Sequence, residues 1–565
     1  MRRHLGEETL KRGGYHIQAL RDIHLYTRRD FGLHPRGSGD IDRLYLFGTI
    51  AQFVLLIACV NFTNLATARA QTRVREIGVK KVVGASRKQL AAQFISESTA
   101  TALLASVGGL ALAGFAIPYV SVYVGRPLEL SALMTAPHLL ALFLLVGAVG
   151  LAAGAYPAVY LSSRRPTQIV KGSEGLRTRA RVRHGLIAFQ FTVATVLIVG
   201  TLGVRHQLDY IQRRPLGFEK DLLITLPVFQ MVRHTSQYEG NIFLARDYET
   251  VKQAFRTTPG VLATTASRKT MGPQGFGALR NVYAEGAPER PLKMQIHSAD
   301  SDFINVYRIP LIQGHTHVAT DTREQQVVIN QTAARMFGWD NPVGKRYAWV
   351  ENQNRHVTCL VVGVMEDFHM TSLRESIPPL AFSLEPSVFN LITVRVNASQ
   401  ISETLGSLEA TWNRFLPSRP FSHAFVDQNL DEINQDDHRF GLALSIVSYI
   451  TILITCLGLL GLAGFVVRGR IKEIGIRKVL GASSVTLWQL LTGQLTKTVL
   501  LAGAIAIPIG YRLVDVWLDG FAYRTAQNPG SYVAATLGMF VMAIGVVSLF
   551  ALQSARATPV DALRE

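Results

Sequence analysis

Two stretches of this sequence hold residue types that can do chemistry. In "MEDFHM", Met365 to Met370, Glu366 and Asp367 stand beside His369. A carboxylate next to an imidazole can move protons or contribute to a metal site. No second His/Asp cluster with ligand spacing stands near it in sequence, which favours a satisfied polar turn after a strand and leaves a membrane-anchored enzyme as an alternative. The other stretch is "REIGVKKVVGASRKQL", Arg75 to Leu90, which returns 397 positions later as "KEIGIRKVLGASSVTL", Lys472 to Leu487. Glu76, Ile77, Gly78, Lys81, Gly84, Ala85 and Ser86 recur as Glu473, Ile474, Gly475, Lys478, Gly481, Ala482 and Ser483, while Lys80 becomes Arg477. Cys59 and Leu65 fall on Cys456 and Leu462 at the same offset, so the apolar run entering each block is repeated too and the chain is an internal duplication.

A loop between two spans needs no particular sequence, so two loops that keep these residues point to a shared surface task. The spacing predicts a short helix docking onto another protein. Ile77 with Val82 and Val83 offers an apolar contact, Lys80 and Lys81 offer charge to acidic groups or lipid headgroups, Gly84 ends the helix and Ser86 caps the next. A membrane-surface helix held only by lipid is the alternative.

The elements that position these blocks are apolar runs. Of 565 residues, 48% are apolar and 17% charged, which fits a polytopic membrane protein. Runs long enough to cross a bilayer lie near residues 44–68, 100–122, 139–161, 186–204, 442–467, 498–516 and 532–552, giving seven spans. The net charge of +18 raises nucleic-acid binding, but its location argues against that. Between His206 and His438 there are 22 Lys and Arg against 25 Asp and Glu, whereas Arg69 to Lys88, Arg164 to Arg183 and Arg468 to Lys478 are strongly basic. Short basic loops beside spans are the positive-inside pattern, so these loops belong in the cytoplasm and no nucleic-acid partner is expected. Cys59 and Cys456 sit in spans and Cys359 has no neighbour to pair with, which excludes a disulfide framework and Cys-based metal sites.

The expected organisation is an extracytoplasmic stub over residues 1–43, a three-span bundle over 44–161 and a basic cytoplasmic linker over 162–184. A span over 185–205 then leads to an α+β extracytoplasmic domain over 206–438, followed by a second three-span bundle over 439–555 and a tail over 556–565. With the basic loops inside, the N-terminus lies outside, yet the first 40 residues are polar and carry no apolar signal region. The expectation is therefore that a span and most of a first outer domain are missing upstream. Within the large domain, Gln325 to Asn330 and Cys359 to Met365 read as buried strands, with Asn330 capping a helix over 331–337 that Gly338 ends. Ile401, Leu405, Leu408, Trp412 and Phe415 mark one helix face, Phe421 to Val426 reads as a strand, and residues 429–440 read as helix running unbroken into the next span.

The two blocks, "NFTNLATARA" before the first and "QFISES" after it, resemble the FtsX-like permeases of bacterial ABC transporters, the superfamily of the macrolide exporter MacB. "FQFTVATVLIVG" and "VVGVMEDFHMTSL" extend the resemblance to a MacB-type periplasmic core domain. It implies a bacterial inner-membrane permease without cofactor or metal, coupling ATP hydrolysis on a separate ATPase dimer to movement of periplasmic domains. It further implies export or extraction of a drug, peptide or lipoprotein, with a periplasmic adaptor or outer-membrane component as a further partner beside the lipid bilayer. In that reading residues 76–86 and 473–483 are the ATPase-coupling loops, consistent with the absence of a GxxxxGK[ST] phosphate loop from the sequence. A regulatory subunit using the same motion without transport is the alternative.

Overall fold

The computed structural model describes residues 19–22, 41–124, 127–163, 176–228, 239–271, 277–317, 324–352, 355–370, 373–417, 419–469, 476–477 and 479–556. Most of the stub, residues 164–175 of the linker and residues 557–565 of the tail lie outside them.

A backbone crossing hydrocarbon must satisfy its own hydrogen bonds, so each apolar run folds as helix. The first half contributes α1 (Ile41–Thr72), the short α2 (Val74–Val82), α3 (Arg87–Val124) and α4 (Ala136–Ser163). After the linker, α5 (Leu176–Arg213) leads out to the large domain. Seven of the described helices are long and apolar enough to cross a membrane, in agreement with the seven runs read from the sequence.

The large domain has two sheets. Strands β1 (Leu223–Pro227), β2 (Val261–Ser267), β10 (Leu391–Val396) and β11 (Ala424–Phe425) pair antiparallel in the order β11-β1-β10-β2. Helices α6 (Glu239–Arg256) and α9 (Ile401–Phe415) pack on this sheet, where Val251, Phe255, Leu408 and Trp412 meet Ile224, Leu226 and Val394. All five apolar positions read as one face of α9 join that cluster. The second sheet runs β5-β8-β6-β9-β4-β3-β7, where β3 is Ala278–Ala284, β4 Ala287–Ser298, β5 Leu311–Gly314, β6 Gln325–Asn330, β7 Arg346–Asn352, β8 Arg355–Met365 and β9 Leu380–Ser383. A further pairing of β7 with β8 closes six of these strands into a barrel, and β5 continues along the edge of β8 that β7 leaves. Closure pairs edges that would otherwise template aggregation, and Val282, Met294, Val327, Val361 and Ala381 fill the interior. Two short helices, α7 (Phe303–Tyr307) and α8 (Gln331–Phe337), flank the sheets.

The strand expected over Phe421 to Val426 is shorter than that: only Ala424 and Phe425 pair with β1, and Val426 already opens helix α10 (Val426–Gly469). A two-residue strand suffices because Phe421 packs on Trp412 instead of on a neighbouring strand. As expected, α10 runs unbroken from the large domain through a span, over 44 residues or about 66 Å. Helices α11 (Ser484–Leu518) and α12 (Pro529–Arg556) complete the second half.

The halves meet through α1 and α10, which are repeat counterparts. Asn61 of α1 abuts Gly458, its own equivalent, so closely that a Cβ there would lie 2.1 Å from Oδ1. The Asn61 amide donates to the Ile454 carbonyl at 2.7 Å, an interhelical bond that supplements small-residue packing in lipid. Equivalent residues in mutual contact mark a quasi-twofold axis between the halves.

Asn330 behaves as its sequence position suggests and does more. Its Oδ1 accepts from Ala333 N and Leu380 N, both at 2.9 Å, and its Nδ2 donates to Pro378 O at 3.0 Å, so one buried amide caps α8 and anchors β9. Replacing Asn330 with Ala is expected to destabilise the large domain by about 3 kcal/mol, since it removes a cap and leaves a buried N–H unpaired. Urea unfolding of the full chain, followed by tryptophan fluorescence, measures this.

Candidate functional site

The first repeated block forms α2 and the turn into α3. Glu76 pairs with Arg73 at 2.8 Å and Lys80 at 2.9 Å, and Arg73 reaches on to Glu97 of α3 at 2.8 Å. Gln93 completes the circuit, accepting from Lys80 at 3.3 Å and donating to Glu97 at 2.8 Å. The guanidinium of Arg73 and then the ammonium of Lys80 hold the Glu76 carboxyl down at about 2. Burial, with the charge of Arg87, lowers the pKa of Lys81.

Gly84 ends α2 as expected. Its φ of +103° suits a residue without Cβ, and the bonds Ala85 N to Lys80 O and Gly84 N to Lys81 O close the last turn. Ser86 and Gln89 then form a reciprocal capping box on α3. In the second block Gly481 has φ +88°, Ala482 N bonds Arg477 O, and Ser483 accepts from Thr486 N at 3.2 Å. The same turn is built twice. Glu473, Ile474, Gly475 and Lys478 lie outside the described residues.

One expectation is corrected. Ile77 does not join Val82 and Val83 on an outer surface: it is 4% exposed and packs with Ala70, Leu90 and Phe94, fixing α2 against α1 and α3. Gly78 is half-buried beside it. The outward apolar face is Val79, Val82 and Val83, exposed by 63%, 76% and 82%. Its counterparts Ile476, Val479 and Leu480 are exposed by 53%, 63% and 79%. The i, i+3, i+4 pattern recurs on both blocks as apolar type and not as identity, the signal in the sequence that marks Val79, Ile476 and Leu480.

On the opposite side of the spans the large domain sits on the second bundle through a polar junction. The Asp437 carboxylate of α10, 9% exposed, takes Arg374 Nε at 2.7 Å and Nη2 at 2.6 Å, and Arg43 of α1 at 2.5 Å. Arg374 follows β8 in the large domain, lies 4.3 Å over Phe521, and accepts from Ala522 N at 2.8 Å in the turn between α11 and α12. From α5, the buried Gln207 amide donates to Tyr523 O at 2.7 Å and accepts from Thr525 N at 2.8 Å.

The "MEDFHM" residues belong to this framework. Asp367 caps α8, accepting from Thr332 N at 2.9 Å, Thr332 Oγ1 at 2.8 Å and Arg335 at 2.5 Å. The peptide N–H of Glu366 bonds Pro310 O. His369, buried, packs edge-on against Tyr523 at 5.0 Å, and its peptide N–H bonds Leu216 O. The carboxylate and imidazole thus face different partners, and among the described residues no group of three His, Cys, Asp or Glu could hold a metal.

Taken together, a duplicated membrane bundle with matched turns on one side and a sheet-rich domain seated on the other defines a polytopic permease. Residues 48–166 and 445–559 match the FtsX-like permease C-terminal family, and residues 193–406 match the MacB-like periplasmic core domain. The chain belongs to the MacB-type ABC transporter permeases. It is 26% identical over 286 residues to the macrolide export ATP-binding/permease protein MacB of Burkholderia pseudomallei, covering 46% of this chain and 41% of that protein. It is also 26% identical over 294 residues to a probable syringafactin export ATP-binding/permease protein of Pseudomonas syringae, covering 48% of this chain and 42% of that protein. The chain thus spans less than half the length of these curated relatives. The periplasmic region of MacB from Actinobacillus actinomycetemcomitans aligns over 39% of this chain and 95% of that one, at 15% identity and a TM-score of 0.27.

Two outcomes follow from the junction. Burial, then the charge of Arg214, depresses the His369 pKa to about 4, and Asp367 opposes this only partly. The unfolded chain therefore binds the extra proton first, so stability is full above about pH 6.5 and is lost as pH falls towards 4. His297, buried and lowered to about 3, acts in the same direction. The unfolding midpoint of the full chain is expected to fall between pH 7 and 4.5, and less steeply in His369→Gln. Separately, Asp437→Asn strips two guanidinium groups of their carboxylate and is expected to weaken the junction by about 3 kcal/mol. Hydrogen exchange at the Ala522 amide, faster in the variant, measures the loosening.

Proposed function

We propose that this chain is the permease subunit of a mechanotransmission ABC transporter in the bacterial inner membrane. A partner ATPase dimer docks on the two repeated blocks, and its closure moves the periplasmic core domain to export or extract an amphipathic substrate. The observation that carries this reading is the pair of matched apolar faces, Val79/Val82/Val83 and Ile476/Val479/Leu480, each projecting beside basic side chains. An i, i+3, i+4 apolar face is the form in which a short helix enters a groove on a partner. Support for transmission comes from α10, whose single helix spans from the large domain through the membrane. In this reading the two bundles occupy residues 44–161 and 439–555 and the periplasmic domain 206–438. The coupling residues are Glu76 to Ser86 and Glu473 to Ser483, with Ile77 seating α2 and the valines making contact. The names of the relatives, exporters of macrolides and of syringafactin, support an amphipathic cargo, and a periplasmic adaptor or outer-membrane component fits the same reading.

The test is the double substitution Val83→Asp with Leu480→Asp, two exposed positions that leave the packing of α2 intact. With the ATPase added to the full chain in nanodiscs, affinity is expected to drop roughly a hundredfold, about 1.4 kcal/mol for each factor of ten. Lys81→Glu with Lys478→Glu is expected to weaken association chiefly at low salt. Coupled ATP hydrolysis that stays at the wild-type level in the Val83/Leu480 variant overturns the docking reading.

A further inference from the structure

The two repeated blocks expose matched apolar faces, but the residues just past each face differ. In the first block Ser86 is followed by Arg87 and Lys88, and in the second Ser483 is followed by Ser484 and Val485. Both pairs open the helix that re-enters the membrane, α3 in one half and α11 in the other. Arg87 and Lys88 are exposed, and Val485 is exposed by 62%. Arg75 to Leu90 carries five Lys and Arg against one Glu, and Lys472 to Leu487 carries three against one. Apolar size shifts the other way: Val79, Val82 and Val83 become Ile476, Val479 and Leu480, a face larger by two methylenes that Val485 extends.

Arg87 stands four residues past Val83, at most about 14 Å along the chain. A stable interface covers about 800 Å² on each partner, roughly 30 Å across, so a body resting on the three valines also covers Arg87 and Lys88. The carboxylates of α2 and the first turns of α3 are engaged behind that face, Glu76 with Arg73 and Lys80, and Glu97 with Arg73. Arg87 and Lys88 make no ion pair among the described residues. Burial and then the charge of Arg87 lower the Lys81 pKa, so two cations of the first block lie close enough to repel each other. Like charges held together at the rim of an apolar face suit an acidic partner surface.

Given the reading of the blocks as ATPase-docking elements, we propose that the two faces hold the partner by different forces. The first takes an ATPase surface whose apolar groove is rimmed by carboxylates facing Arg87 and Lys88, and the second is held by apolar contact alone. A rim charge acts mainly on the association rate and its salt dependence. With an ATPase dimer of identical protomers, the first face is therefore engaged first and the second closes by apolar burial.

The probe is the ATPase whose binding the double Val83→Asp/Leu480→Asp substitution abolishes, added to the full chain in nanodiscs of palmitoyl-oleoyl phosphatidylcholine. Leu480→Asp alone leaves the first face open, and Val83→Asp alone leaves the second. Association at the first face is expected to slow roughly tenfold between about 50 and 500 mM salt, and at the second less than about twofold. Arg87→Ser with Lys88→Val should remove the salt dependence from the first face, and Ser484→Arg with Val485→Lys should confer it on the second. Each exchange installs the residues that the other turn already carries, and circular dichroism checks that the variants fold. Equal salt dependence at the two faces, or exchanges that leave it where it was, overturns this proposal while the docking reading stands. Undiminished binding in the double Asp variant overturns the docking reading and this proposal with it. Loss of the first face's salt dependence in nanodiscs half of phosphatidylglycerol shows that lipid headgroups, and not the ATPase, occupy Arg87 and Lys88, and overturns the proposal equally.

Discussion

The carboxylate of Asp437 ties three parts of this chain together at one point: α10, the large domain and the first bundle. It belongs to α10 at the point where a polar helix becomes an apolar span, and it holds one arginine from the large domain and one from the first bundle. A charge this buried is tolerable only when its lone pairs are filled, and the bidentate Arg374 with Arg43 fills them. Because Arg374 also receives the Ala522 amide, the turn between α11 and α12 is carried along. The junction thus seats the large domain on the membrane bundle through one buried carboxylate.

The inner end of the molecule obeys a different constraint. There the two repeated blocks expose the same apolar pattern on short loops. Turning Ile77 inward removes an isoleucine from the outer surface but gains a fixed orientation for α2, since Ala70, Leu90 and Phe94 close around it. Three valines, Val79, Val82 and Val83, are then left facing outward, the face on which the docking proposal rests.

Much of this was legible in the sequence, and the reasons differ by element. The spans were legible because hydrocarbon admits few alternatives to helix, and the ends of α2, α8 and α11 because Gly84, Asn330 and Ser483 have local conformational roles. The barrel was not, since closure depends on β7 and β8 meeting along one edge while β6 takes the other, a relation that strand periodicity does not encode. The junction was equally hidden: Arg43, Arg374 and Asp437 are separated by 394 and 63 positions, and each reads singly as an ordinary boundary charge. "MEDFHM" reads in the sequence as a satisfied polar turn after a strand, and its Asp and His are each engaged by the surrounding framework. Asp367 serves a helix cap and His369 a ring contact, so each group is used by a different neighbour.

The repeat also shows where equivalence stops. Val79, Val82 and Val83 have apolar counterparts at Ile476, Val479 and Leu480, but Glu97, which anchors Arg73 and Gln93, is replaced by Gln494, and Gln93 by Leu490. The polar circuit that fastens α2 to α3 depends on that carboxylate, because a neutral amide cannot balance both Arg73 and the basic face of α2. The second block therefore lacks the Glu97 and Gln93 of the first, while all three exposed apolar positions have apolar counterparts. The exposed apolar face is thus common to both blocks, whereas Glu97 and Gln93 behind it belong to the first alone.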